Sequence, residues 1–150
     1  KLIQAAEVTE RDRVLDVACA TGYSSAVLSA LSADVVALEE DEALAKEAAH
    51  LLRSCERLGR LYGVVGPHGD GAAAQGPFDV VFVNGAVEDV PGAWVDQLKE
   101  GGRMVVILRD GPVGKANFCV RKGGALSRRV AFDATVPVLP GFERAKRFVF

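Results

Sequence analysis

The sequence predicts an α/β fold: a doubly wound, mostly parallel sheet with helices on both faces and a C-terminal antiparallel hairpin, in a single domain over residues 1–150. Three observations lead there. Short apolar runs recur at Arg13–Val17, Asp34–Leu38, Phe78–Val83 and Arg103–Leu108, the composition of strands buried on both faces. Stretches with helical spacing of apolar residues lie between them. The last third breaks this alternation, with Phe118–Arg121 and Arg129–Phe132 flanking Lys122-Gly123-Gly124 as strand, turn and strand.

Taken in order, Leu2-Ile3-Gln4-Ala5-Ala6 reads as the last turns of a helix already under way, so the chain is expected to start inside an element and to be trimmed at its N-terminus. After strand Arg13–Val17 comes a small-residue turn. Ser24–Ser32 then carries apolar residues at Ala26, Val27, Ala30 and Leu31, with Ser24 and Ser25 as candidate caps. Asp34–Leu38 is continuous and β-branched. Glu42–Leu58 repeats apolar residues at 44, 45, 48, 49, 51, 52 and 55 and is closed by Gly59, an amphipathic helix. Tyr62–Val65 is a short strand, followed by the turn-rich Gly66-Pro67-His68-Gly69-Asp70-Gly71. Phe78–Val83 is the strongest strand signal, Val90–Leu98 a helix, and Glu100-Gly101-Gly102 a turn into the strand Arg103–Leu108.

Composition narrows the function. At 150 residues the chain is long enough for one real core, and with 49% hydrophobic and 25% charged residues it is globular. No apolar run approaches the ~20 residues of a membrane span, and the start lacks a secretory signal pattern. Cys19, Cys55 and Cys119 are scattered, with no CxxC and only two histidines, which argues for reduced thiols in a cytoplasmic protein and against a disulfide frame or a metal site. The first 98 residues carry seven basic and 16 acidic side chains, whereas those from Lys99 onward carry 11 basic and four acidic. The basic residues stand singly or in pairs without interleaved aromatics, so they read as a solvated surface and not as a nucleic-acid site.

The chemistry concentrates in Asp16-Val17-Ala18-Cys19-Ala20-Thr21-Gly22 and in Glu39-Glu40. A strand, a small-residue turn, a helix and a second strand ending in a carboxylate is how an α/β sheet builds a nucleotide pocket. A dinucleotide fingerprint would need small residues at 18, 20 and 23, but position 23 is Tyr. Small residues at 18, 20 and 22 with Asp16 ahead resemble motif I of the class I S-adenosylmethionine-dependent methyltransferases, and hence a Rossmann-like fold. That resemblance implies S-adenosylmethionine as cofactor. Asp16 would then meet the cofactor's ammonium end or hold the turn's amides. Glu39, 23 residues later, would take the ribose hydroxyls, with Glu40 beside it; a surface acid opening an acidic helix is the other reading of Glu39. Ala18 and Ala20 stand where that motif has glycine. A left-handed conformation at either would cost ~1–2 kcal/mol, and a methyl there would press on a ligand.

The second half sharpens the resemblance. Pro77-Phe78-Asp79, the loop Asn84-Gly85-Ala86, Pro91 opening a helix, and Gln97-Leu98-Lys99-Glu100-Gly101-Gly102 together resemble the protein-L-isoaspartate O-methyltransferase family over about residues 8–108. This implies methyl transfer to isoaspartyl carboxylates in damaged proteins, with a protein or peptide as partner, no nucleic acid and no membrane. The family's Gly-Asp-Gly near adenine is supplied by Gly69-Asp70-Gly71. Counting back from Pro77 places Gly66-Pro67 there instead, so both positions stay open, with His68 the weaker candidate. Asn84, at the end of the fourth strand, would face the methyl group or simply form a turn before Gly85. The Pro-Pro-aromatic that follows such an Asn in base methylases is absent. The family's acceptor contacts, including a Ser-Gln-Pro segment, precede the matched region. The alternatives are a methyltransferase acting on a small molecule and a non-catalytic paralogue that binds cofactor or a partner.

Overall fold

The computed structural model describes residues 1–32, 34–55 and 59–145. The elements are α1 (Leu2–Ala5), β1 (Arg13–Val17), α2 (Tyr23–Leu31), β2 (Asp34–Glu39), α3 (Glu42–Arg53), β3 (Arg60–Val65), β4 (Phe78–Val87), α4 (Gly92–Asp96), β5 (Leu98–Arg109), β6 (Gly114–Lys122) and β7 (Ala125–Asp133). Single helical turns lie at His68–Asp70 and Ala73–Gln75. The strands form one seven-stranded sheet in the order β3-β2-β1-β4-β5-β6-β7. β1 to β5 pair in parallel, while β6 and β7 pair antiparallel, as the expected hairpin requires.

Alternation along the buried strands makes two cores, one on each face. Leu15, Val17, Val36, Leu38, Val81 and Val83 point to one face, where the fully buried Trp94 of α4 covers them. Val14, Val35, Val80 and Phe82 point to the other, under Leu28 of α2 and Leu2 and Ile3 of α1. At the outer edge β3 is largely exposed, with Tyr62 and Val65 open to solvent.

Several boundaries differ from expectation. The helix starting at Glu42 ends at Arg53, where Ser54 Oγ bonds the Leu51 carbonyl at 2.6 Å; residues 56–58 of the expected helix lie outside the described residues. Gly59 is not a helix cap but donates to Ser29 O. Ser24 and Ser25 do not cap α2, which opens on Gly22 at φ 90°. The helix expected over Val90–Leu98 shortens to five residues, because Leu98 already pairs with Phe78 in the sheet. Asn84 falls inside a longer β4, at the point where β4 leaves β1: their pairing ends at Val17 and Val83, and the β4–β5 register shifts between Phe82 and Ala86.

Beyond β7 the chain returns over the end of β4 as a strap of residues 134–145. Leu139 N donates to Ala86 O at 2.8 Å, and Phe142 packs on Trp94 with ring centroids 5.5 Å apart. The Arg144 guanidinium grips both oxygens of Asp89 at 2.9 and 3.0 Å.

Candidate functional site

β1 continues toward β2 and the helices on one side, and β4 toward β5 on the other, so a crevice opens between them at their carboxyl ends, where α/β sheets bind ligands. A cleft of about 480 Å³ occupies it, lined by Ala18, Ala20, Glu39, Glu40, Asp41, Leu44, His68, Asn84, Leu139 and Pro140. That volume falls in the range of small-molecule sites.

The turn after β1 is bent as a glycine turn would be. Ala18 sits at φ 58° and Ala20 at φ 49°, both left-handed, and both residues line the cleft. Glu39 explains part of this. The residue is 4% exposed; Oε2 accepts from Ala20 N at 2.8 Å, and Oε1 accepts from Glu40 N at 2.9 Å and Asp41 N at 3.0 Å. The acid thus clamps the turn to the start of α3, and Oε2 keeps one acceptor position to spare. Asp41 caps α3 through Ala43 N and Leu44 N.

Asp16 is fully buried and does not touch the turn's amides. Its Oδ2 accepts from Ser24 Oγ at 2.7 Å and Ser25 Oγ at 2.6 Å, and its Oδ1 accepts from Asn84 Nδ2 at 2.6 Å. Burial pushes the Asp16 carboxyl up to about 6, against the pull of Ser25, Ser24 and Asn84, while the Glu39 charge adds to the rise. Asn84 Nδ2 also donates to Ser24 Oγ at 2.9 Å, so acid, hydroxyl and amide close a ring.

Four other expected residues lie outside the cleft. Cys19 faces a larger, mainly apolar groove of about 610 Å³ between α3 and β2–β3, and burial pushes its thiol up to about 12, leaving it inert. Gly22 serves packing: a Cβ there would stand 3.1 Å from Ala48 Cβ and 3.2 Å from Leu52 Cδ1. Thr21 is a partly buried residue of the turn. Asp70 points away, into a hollow with Ala73, Pro77 and Ala93, and its carbonyl is bound by Gln97 Nε2 at 2.7 Å.

Of the three loop candidates, His68 lines the cleft, whereas Pro67 and Asp70 do not. It is buried, with Nε2 3.2 Å from Glu39 Oε1 and 3.0 Å from Glu40 N, and its carbonyl accepts from Trp94 Nε1 at 2.8 Å. The sequence reading also missed Leu139 and Pro140, which lie over 50 residues from the other lining residues and carry no motif. Ser24 and Ser25 did leave a signal: two hydroxyls in an apolar helix directly after a buried acid. Among the described residues no His, Cys, Asp and Glu cluster is arranged to hold a metal.

The profile of the protein-L-isoaspartate(D-aspartate) O-methyltransferase family matches residues 1–131. The chain belongs to this family. A family member from Koribacter versatilis, named protein-L-isoaspartate O-methyltransferase, is 39% identical over 140 residues, which cover 89% of this chain and 59% of the relative. The chain thus spans about three-fifths of that relative's length. A solved family structure of the same name superposes with a TM-score of 0.84 at 26% identity, covering 93% of this chain and 45% of that one. A second, described as a putative family member from Plasmodium falciparum in complex with S-adenosyl-L-homocysteine, gives a TM-score of 0.72 at 18% identity over 92% of this chain and 69% of its own, a likeness of fold. The Rossmann-like class I methyltransferase architecture is common to all three.

Proposed function

We propose that this chain is the cofactor-binding part of a protein-L-isoaspartate O-methyltransferase, one that transfers a methyl group from S-adenosylmethionine to isoaspartyl carboxylates of damaged proteins. One observation carries the reading: in a member of this family, a buried carboxylate, Glu39, stands at the floor of a cleft of fitting size between the ends of β1, β2 and β4. The donor set suits the cofactor. Glu39 Oε2 has an acceptor position left for a ribose hydroxyl, His68 and Leu44 flank the adenine side, and Asn84 stands toward the methionine side.

S-adenosylmethionine supplies an activated methyl on a sulfonium. The protein's part is to hold and align. An isoaspartyl carboxylate is ionised at neutral pH and needs no base, in keeping with a cleft where Glu39 is committed to amides and Asp16 is sealed away. The partner is a protein or peptide bearing isoaspartyl residues. No helix among the described residues is long and apolar enough to cross a membrane, and the three free cysteines suit a reducing, cytoplasmic setting.

A second reading, a non-catalytic paralogue, draws support from Ala18 and Ala20, which line the cleft in left-handed conformation. Calorimetry with S-adenosylhomocysteine, followed by radiolabelled methyl incorporation into isoaspartyl and aspartyl versions of one peptide, separates the two. Binding is expected in the micromolar range or weaker. Glu39→Gln replaces an acceptor by a donor and is expected to weaken binding by about 1–3 kcal/mol. No heat at millimolar ligand would end the cofactor reading. Binding without methylation by this chain or by a longer one would favour the paralogue.

A further inference from the structure

We propose that Asp16 is a positioning residue: with Ser24 and Ser25 it fixes the carboxamide of Asn84 so that Oδ1 faces the cleft and accepts from the ammonium group at the amino-acid end of the bound cofactor. The inference rests on the cofactor reading above and adds to it which atom holds that end and what keeps the atom in place.

A carboxamide has two faces of opposite polarity, and its neighbours decide which one a ligand meets. Here both Nδ2 protons are spoken for: one by Asp16 Oδ1 at 2.6 Å, the other by Ser24 Oγ at 2.9 Å, with Val17 O at 3.4 Å beyond. Ser24 accepts from Asn84 because its own proton is given to Asp16 Oδ2, the oxygen that also takes the Ser25 proton. Among the described residues Asn84 Oδ1 has no hydrogen-bond partner, and Asn84, partly buried, lines the cleft. An ionised Asp16 admits donors alone, so the amide has one orientation and shows the ligand an acceptor. A protonated Asp16 has a proton to give. It then stabilises the reversed amide, which turns the NH2 toward the ligand and repels an ammonium group.

The groups facing Asp16 are Ser24 and Ser25 from α2, Asn84 from β4, Cys19 from the turn and Glu39 from β2, with His68 behind Glu39. Glu39 and His68 flank the part of the cleft assigned to the adenosine, so a change in their charge acts on any ligand that carries it. The Asp16–Asn84 device acts only on the amino-acid end. That difference makes it measurable.

The test is calorimetry with S-adenosylhomocysteine and with 5′-methylthioadenosine, which shares the adenosine but has no amino-acid end, each at pH 7.5 and pH 5. For the unmodified protein, S-adenosylhomocysteine is expected to bind roughly tenfold more weakly at pH 5, while 5′-methylthioadenosine changes less than twofold. Asn84→Ala is expected to lose tenfold or more for S-adenosylhomocysteine at pH 7.5, to hold 5′-methylthioadenosine within twofold, and to show no difference in pH dependence between the two ligands. Equal pH dependence for both ligands in the unmodified protein overturns the proposal without recourse to any variant, and so does an equal loss for both in Asn84→Ala. If the unmodified protein binds neither ligand, the cofactor reading itself falls. Binding of both ligands without the difference removes this inference alone.

Discussion

Ala18 and Ala20 hold left-handed backbone that costs an L-residue about 1–2 kcal/mol each. Glycine would remove that cost but add about 0.5–1 kcal/mol of unfolded-chain entropy. The double change Ala18→Gly, Ala20→Gly is therefore expected to raise stability by roughly 1 kcal/mol, seen as a higher Tm, and to tighten S-adenosylhomocysteine binding by clearing two methyl groups from the cleft. A lower Tm with unchanged affinity would show that the alanines are accommodated. Asp16 yields a second expectation. Burial lifts its carboxyl from 3.8 to about 6, so the folded chain binds the proton more tightly than the unfolded chain does. Stability from this group is fully present below about pH 4, falls as pH rises toward 6, and levels off about 3 kcal/mol lower. Thermal melts from pH 4 to 7 are expected to show this decline in the unmodified protein and to lack it in Asp16→Asn.

Gly22 belongs to the scale of elements, because it sets how close α3 lies to the start of α2. A methyl there meets Ala48 and Leu52 at 3.1–3.3 Å, in a backbone conformation at φ 90° that side chains rarely adopt. Gly22→Ala is expected to cost about 2–3 kcal/mol, read as a lower urea midpoint with an unchanged slope. The buried strands were legible because burial on both faces leaves a continuous apolar run, as in β2. Helix ends were not, since they depend on single contacts: the Ser54 hydroxyl on Leu51 ends α3, and pairing of Leu98 with Phe78 ends α4. Within the site, Glu39 and the turn could be read from spacing. The partnership of Asp16 with Asn84 joins residues 68 apart, and no local pattern encodes it. His68 lines the cleft and Asp70 does not because a short helical turn rotates one residue inward and the other out.

For the whole molecule, the strap of residues 134–145 ties the last part of the chain to the cleft. Leu139 and Pro140 form one wall, and the Phe142–Trp94 contact and the Arg144–Asp89 pair hold that wall in place. The ion pair is exposed and contributes little; the aromatic contact carries the anchoring. Phe142→Ala is expected to cost about 1–3 kcal/mol of stability and to weaken S-adenosylhomocysteine binding several-fold, whereas Arg144→Ala is expected to leave the midpoint nearly unchanged. Denaturant melts and calorimetry on both variants check this.

The strand order has a consequence for how the molecule breathes. β1 and β4 are neighbours at the middle of the sheet, and β3 is one of its two exposed outer strands, β7 being the other. Amide hydrogens of β3 are expected to exchange with solvent through local fraying, and those of β1 and β4 only when the whole sheet opens. Asp16 and Asn84 sit on the slow strands, while Glu39 ends β2, whose outer neighbour is β3. The two halves of the cleft are therefore expected to open on different timescales. The Glu39 side of the cleft is thus expected to open for an instant and close again without disassembly of the side that carries Asp16 and Asn84.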